Sequence, residues 1–231
     1  TATTQIYPLS LHDALPIWYA VVAKSPLTGV FGEAYAGGSF IHELKYAGYD
    51  GIVVSGRAAG PVYLHVRNGR AEVRPADHLR GKETLQTEEL LKEELGDVEY
   101  RIASIGPAGE ARVRFACVMN DTDRAAGRTG LGAVMGSKNL KAIAVRGTGT
   151  AAVADAASFR AHALADLAKI RSHGWLGDSL PKLGTAGGVE GLSAAGILPT
   201  HNWDAGSWTG ADRISGTAMA RSILLGHRAC Q

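Results

Sequence analysis

Apolar residues change their spacing along the chain, and each change marks an element. Tyr19 to Lys24 is strand-like, Ser25 to Gly29 reads as a turn, and a second short strand follows through Phe31. Gly37 and Gly38 precede a helix over about 40–46, with Gly48 placed to end it. The β-branched run from Gly51 to Gly56 predicts a buried strand. Residues 62–66 and 71–74 flank Asn68-Gly69, the strongest short hairpin signal in the chain. Thr84 to Leu95 has helical periodicity with Leu85, Leu90, Leu91 and Leu95 facing inward, and Gly96 stops it. Tyr100 to Ile105 reads as a strand, 106–110 as a turn, and 112–119 as a further buried strand.

Composition shifts to small residues at 148–154, which places a domain boundary there. Beyond it, Asp155 is positioned to cap a helix carrying Phe159, Ala163, Leu167 and Ile170 at helical spacing. Gly184 to Gly188 leads into a short helical piece, 196–203 reads as a loop, and 215–225 as a last helix. The resulting division is 1–17, 18–147 and 148–231. Residues 1–17 share no pattern with the remainder of the chain and lack a basic region before their apolar residues, which argues against a signal peptide. We read them as a foreign junction segment, expected to make few contacts with the other residues.

The 231 residues are 45% apolar and 20% charged, ordinary for a globular protein. A net charge of +2 gives no reason to expect nucleic acid or a membrane surface as partner. Two cysteines make no disulfide framework, so a reducing, cytoplasmic setting is the default. No run reaches the apolar length of a membrane span.

The chemistry concentrates in 120–147, NDTDRAAGRTGLGAVMGSKNLKAIAVRG. Arg124 and Arg128 have the spacing to share one face of a helical turn. Gly127, Gly130 and Gly132 follow, then Lys138 and Lys141. Glycines let backbone approach a ligand, and guanidinium groups hold phosphate or carboxylate through paired charge-assisted bonds. The stretch therefore suits a flat, polar, anionic ligand; the competing reading is a solvated connection. A weak internal repeat supports the ligand. Strand, glycine loop, helix and strand over 37–56 are matched over 130–147, so two glycine loops could face one cleft. His42, His78, His162, His201 and His227 are given no role, since a lone histidine is usually surface or satisfied core.

The run RAAGRTGLGAVMGSKNLKAIAV resembles the signature of the aldehyde ferredoxin oxidoreductase family. Segments 22–29, 43–54, 104–110 and 115–121 match in the same order, and the resemblance covers about residues 19 to 230. With the internal repeat and the strand count, the expected fold is α+β: two related β-α-β halves forming a mixed-sheet cofactor-binding domain, followed by the start of a mainly α-helical domain. The resemblance also implies oxidation of an aldehyde to the carboxylic acid at a tungsten (or molybdenum) bis-pterin centre. Electrons would pass through a [4Fe–4S] cluster to ferredoxin; homo-oligomerisation is left open. By transfer of positions, Gly37, Arg124, Ala125, Gly127 and Arg128 would touch the pterin cofactor. Cys230 would match the first cluster cysteine, while Cys117 reads as buried core. The other cluster ligands and the acid/base residues are expected beyond Gln231, which would make the chain a truncated piece. Two positions depart from the family: Tyr35 stands where an asparagine is expected and Trp18 where an arginine is. Outside the resemblance, the second reading is a glycine/arginine-loop module for a nucleotide or other phosphate ligand, with no redox role.

Overall fold

The computed structural model describes residues 18–227 and the two-residue strand β1 (Thr4–Gln5). The junction reading for 1–17 otherwise falls outside the described residues, as does Cys230. The chain divides into two compact units, the first running through Ala152 and the second comprising Val153–Ala229.

The first unit opens with a hairpin of β2 (Tyr19–Lys24) and β3 (Phe31–Ala36), followed by helix α1 (Phe40–Tyr46). Strand β4 (Val53–Val54) pairs antiparallel with β1. The second hairpin, β5 (Val62–Arg67) and β6 (Arg70–Pro75), turns at Asn68 and Gly69, both with positive φ. Helix α2 (Thr84–Leu95) and strand β7 (Arg101–Ser104) come next, then the single turn α3 (Pro107–Glu110). A tight hairpin of β8 (Val118–Asn120) and β9 (Arg124–Ala126) leads to α4 (Leu131–Ser137) and β10 (Leu140–Arg146).

Six strands form one sheet in the order β6-β5-β10-β7-β8-β9. The β10–β5 pair is parallel and the other pairs antiparallel, so the sheet is mixed, within an α+β arrangement. Both faces are covered, which suits the nearly continuous apolar run of β10. Leu64, Val66, Ile105, Val118 and Val145 pack with Phe40, Leu44, Leu131 and Met135. Tyr63, Tyr100, Ile102, Ala142 and Ala144 pack with Leu79 and Leu91. On that second face His65 is bonded through Nδ1 to Glu72 at 3.0 Å and through Nε2 to Tyr100 at 2.7 Å, so its burial leaves neither nitrogen unsatisfied.

One ion cluster ties the last strand to the first helix. Arg146 Nη1 donates to Glu43 Oε1 at 2.6 Å, Gly147 N donates to the same oxygen at 2.9 Å, and Arg146 Nε donates to Asp97 Oδ2 at 3.0 Å. A side chain at Gly147 would put its Cβ 2.1 Å from the Ala47 nitrogen, so that crossing requires glycine.

The repeat expected from the sequence has a structural counterpart. In each half a hairpin, a glycine turn, a seven-residue helix and a strand succeed one another: β2–β3, α1, β4 and β8–β9, α4, β10. The halves differ at their ends. β10 is the third strand of the large sheet, whereas β4 is two residues long and half-exposed, shorter than the buried strand expected over 51–56. The expected strand over 112–119 is confined to its end at Val118. The segment before it is a turn pressed against α4, where Gly132 N donates to Ala116 O at 2.9 Å. In α2 Leu91 is buried and Leu90 and Leu95 pack against the core as expected, with Thr87 and Glu88 buried beside them, while Leu85 is 47% exposed.

In the second unit, α5 (Ala156–Ser172) is capped by Asp155, whose carboxylate accepts from Ser158 N at 3.0 Å. Its apolar positions Phe159, Leu167 and Ile170 are exposed rather than packed. Short helices α6 (Leu180–Leu183), α7 (Val189–Ala194) and α8 (Gly216–Ser222) come after it, the last ending before the expected Leu225. No helix among the described residues is long and apolar enough to cross a membrane.

Candidate functional site

The β8–β9 turn builds the site. Asn120 pairs with Arg124 across the hairpin, and Asp121 and Thr122 at its tip have φ of 47° and 70°. That backbone aims the Asn120 and Asp121 side chains at the other half of the repeat. Asn120 Nδ2 donates to Gly37 O at 3.0 Å and to Asp121 Oδ2 at 2.9 Å, while its Oδ1 accepts from the Tyr19 hydroxyl at 2.7 Å. Burial, and then the nearby Asp121 carboxylate, push the Tyr19 hydroxyl far above the usual tyrosine range, so it stays protonated as the donor. Asp121 Oδ2 accepts from Ser39 N at 2.5 Å and Phe40 N at 3.3 Å, the first amides of α1. Its other oxygen lies 4.0 Å from Arg101 Nε.

These bonds press the Gly37–Gly38 loop against the β8–β9 turn. Gly38 has φ +97°, and a Cβ there would stand 2.2 Å from Asp121 Oδ2 and 3.1 Å from Arg124 Cγ. Only glycine fits.

Arg124 opens β9 and is partly buried, with Nε 3.6 Å from Asp123 Oδ1. Ala125 is exposed and Ala126 buried, as strand alternation requires. Gly127 and Arg128 are exposed in the loop after β9. Thr129 Oγ1 lies 2.7 Å from Arg128 O and 3.3 Å from Glu33 O of β3, and its single proton serves one of the two at a time. The expectation that Arg124 and Arg128 share a helical face is therefore corrected: one lies on a strand and the other in a loop. The hairpin register sets this, because Asn120 to Ala126 is spent on the β8–β9 ladder.

The glycines separate into two kinds. A Cβ on Gly130 would lie 1.9 Å from Arg114 O, one on Gly132 2.3 Å from Cys117 O, and one on Gly136 1.9 Å from Gly109 O. Those glycines serve close packing of α4. A Cβ on Gly127 would meet nothing nearer than the Ala125 Cβ at 3.8 Å. Lys141 and Lys138 are likewise absorbed by the fold: Lys141 Nζ bonds Lys82 O at 2.7 Å and the Glu110 carboxylate, and Lys138 Nζ bonds Gly56 O at 3.2 Å. Cys117 is half-buried rather than core, with Sγ 3.6 Å from Met119 Sδ. Among the described residues no group of three His, Cys, Asp or Glu side chains is placed to hold a metal ion. Tyr35 and Trp18, the two family departures, are both exposed.

The geometry thus sets the Gly37–Gly38 loop against Asn120, Asp121 and Arg124, while Ala125, Gly127 and Arg128 are exposed. Residues 16–147 match the model of the aldehyde ferredoxin oxidoreductase N-terminal domain, and residues 163–231 match the model of domains 2 and 3 of the same enzymes. The chain belongs to the aldehyde ferredoxin oxidoreductase family. The tungsten-containing aldehyde ferredoxin oxidoreductase of Pyrococcus furiosus is 47% identical over 212 residues, covering 92% of this chain and 35% of that protein. This chain therefore spans about a third of the length of such relatives. The WOR-like subunit of an aliphatic sulfonate oxidoreductase from the same organism is 41% identical over 143 residues, covering 56% of this chain and 23% of that protein. Among solved structures, the active site complex BamBC of benzoyl coenzyme A reductase with 1,5-dienoyl-CoA is similar at a TM-score of 0.64 and 38% identity, covering 72% of this chain and 26% of that one.

Proposed function

We propose that residues 18–147 form the cofactor-binding domain of an enzyme that oxidises an aldehyde, with water, to the carboxylic acid, and that a helical domain begins at 148. When bound, a tungsten (or molybdenum) bis-pterin would supply the two-electron redox chemistry. The residues present fit such a group. Arg124 and Arg128 offer forked donors to pterin or phosphate edges. Gly37, Ala125 and Gly127 offer backbone with little or no side chain in the way. Cys230 would give one thiolate to a [4Fe–4S] cluster, the exit for electrons toward ferredoxin, and a cytoplasmic setting suits reduced thiols.

Gly127 is the observation that carries this reading. Unlike Gly130, Gly132 and Gly136, it has no neighbour that a side chain would strike, and it sits exposed between Arg124 and Arg128. Its open side leaves room for a group outside the chain to approach its backbone. Metal and pterin analysis of the purified protein tests the proposal. Tungsten or molybdenum together with pterin, near stoichiometry, supports it. Stabilisation by nucleotides with neither metal nor pterin bound would favour a plain phosphate-binding module.

A further inference from the structure

We infer that Asp121 is a positioning residue, a carboxylate staple that fixes the Gly37–Gly38 loop against the turn presenting Arg124; the inference rests on the cofactor reading above. The backbone of this turn is made for other residues. Asp121 and Thr122 both lie in the left-handed region, where glycine is favoured and a β-branched threonine is strained. Aspartate tolerates the region better than most, but glycine would relieve it altogether. Asp121 supplies what glycine cannot.

Its Oδ2 accepts from Ser39 N, Phe40 N and Asn120 Nδ2. The first two belong to the orphan amides of α1 that no residue inside the helix can satisfy. Ser39 occupies the N-cap position, yet no side-chain cap bond is made there; the cap arrives instead from 82 residues along the chain. The carboxylate also fills the space that any side chain at position 38 would need, so Gly38 and Asp121 fit only each other. Asp121 is 5% exposed, with Arg101 Nε 4.0 Å from its second oxygen. Three residues before Arg124, it sets where that guanidinium emerges relative to Gly37. Ligand-binding groups lose their effect when their supports loosen by a fraction of an ångström, so a staple between the two loops acts on cofactor retention without touching the cofactor.

The test compares Asp121→Gly and Asp121→Asn with wild type and with Arg124→Ala in the purified protein. Three quantities are read: pterin per polypeptide, amide exchange at Ser39 and Phe40, and the thermal midpoint. Asp121→Gly should speed exchange at Ser39 and Phe40 by about fivefold to tenfold, the scale of a lost helix cap, while β10 amides stay protected. Its pterin content should fall well below that of Asp121→Asn, which keeps one acceptor and should lie between glycine and wild type. Glycine relieves the left-handed strain, so the midpoint should move much less than the pterin content. A merely structural role would move the two in step, and that result overturns the inference. Full pterin content in Asp121→Gly, or unchanged exchange at Ser39 and Phe40, also overturns it. If Asp121→Gly does not fold, Asp121→Asn is decisive: wild-type pterin content and exchange would refute the staple. Arg124→Ala separates the two levels. If it too keeps all its pterin, the cofactor reading fails; if it alone loses pterin, only the staple fails.

Discussion

Arg124 Nε stands 3.6 Å from Asp123 Oδ1, beyond hydrogen-bond range, and the aspartate side chain is 51% exposed. A pair this long and this wet is worth about 0–1 kcal/mol. The contact between Arg124 Nε and Asp123 Oδ1 by itself contributes little to stability. Asp123→Ala should shift stability by less than about 1 kcal/mol in urea unfolding and leave pterin content at the wild-type level. Loss of pterin in that variant would mean that Asp123 orients the guanidinium.

Gly127 and Gly130 are three residues apart and should respond oppositely to alanine. Gly130 has φ +75°, and its new Cβ would lie 1.9 Å from Arg114 O, backbone that cannot step aside. Gly130→Ala should cost more than about 2 kcal/mol. Gly127 has no such neighbour, so Gly127→Ala should stay within about 0.5 kcal/mol of wild type in stability. Its pterin content should nevertheless fall. Equal destabilisation of both variants would place Gly127 among the packing glycines.

Buried tyrosines give the fold an alkaline limit. Burial, with Asp121 second, raises Tyr19; burial, with the Glu94 hydrogen bond second, raises Tyr63; burial also raises Tyr100. An unfolded tyrosine ionises near 10.0, while the folded chain holds these protons to higher pH. The unfolded state thus binds fewer protons there, and stability falls as pH climbs past that value. Tyr19→Phe loses the bond to Asn120, at about 1 kcal/mol near neutrality. It also removes one of the shifted groups, so its deficit against wild type should shrink between about pH 8 and about pH 11. Parallel stability curves across that range would show that Tyr19 is not held protonated by the fold.

What could be read in the sequence was local. Asn68-Gly69 turns its hairpin, Gly96 ends α2 with φ +67°, and Asp155 caps α5, because each signal and its structure lie within a few residues. The ligand loop was legible as a composition of glycine and arginine. Its sorting was not. Gly127 and Gly130 are the same letter, and only the position of the Arg114 carbonyl separates them. By sequence proximity alone, Asp121 is a candidate surface partner for the arginines next to it. Its partners are amides some 80 residues earlier, which no local pattern reveals. Leu85 misled for a similar reason: periodicity gives the apolar stripe of α2, but the sheet decides which flank is covered, and it covers Thr87, Leu90, Leu91 and Leu95. The strand expected over 51–56 fell short because β-branched residues signal extended backbone without naming a neighbour, and the ladder available spans only Val53 and Val54.

The central claim is that Arg124 and Arg128 hold an anionic pterin cofactor. Removing an arginine from a bound, desolvated anion costs roughly 2–5 kcal/mol, against at most about 1 kcal/mol for a surface pair. The direct measurement is pterin and tungsten per polypeptide in purified Arg124→Ala and Arg128→Ala, with the lysine variants alongside. Occupancy should fall by about tenfold or more in each alanine variant, since every 1.4 kcal/mol is tenfold in binding, while solubility holds. The lysine variants should recover only part of it, because an ammonium cannot form the two-pronged contact. Full metal and pterin occupancy in both alanine variants would contradict the assignment of this loop as the cofactor cradle.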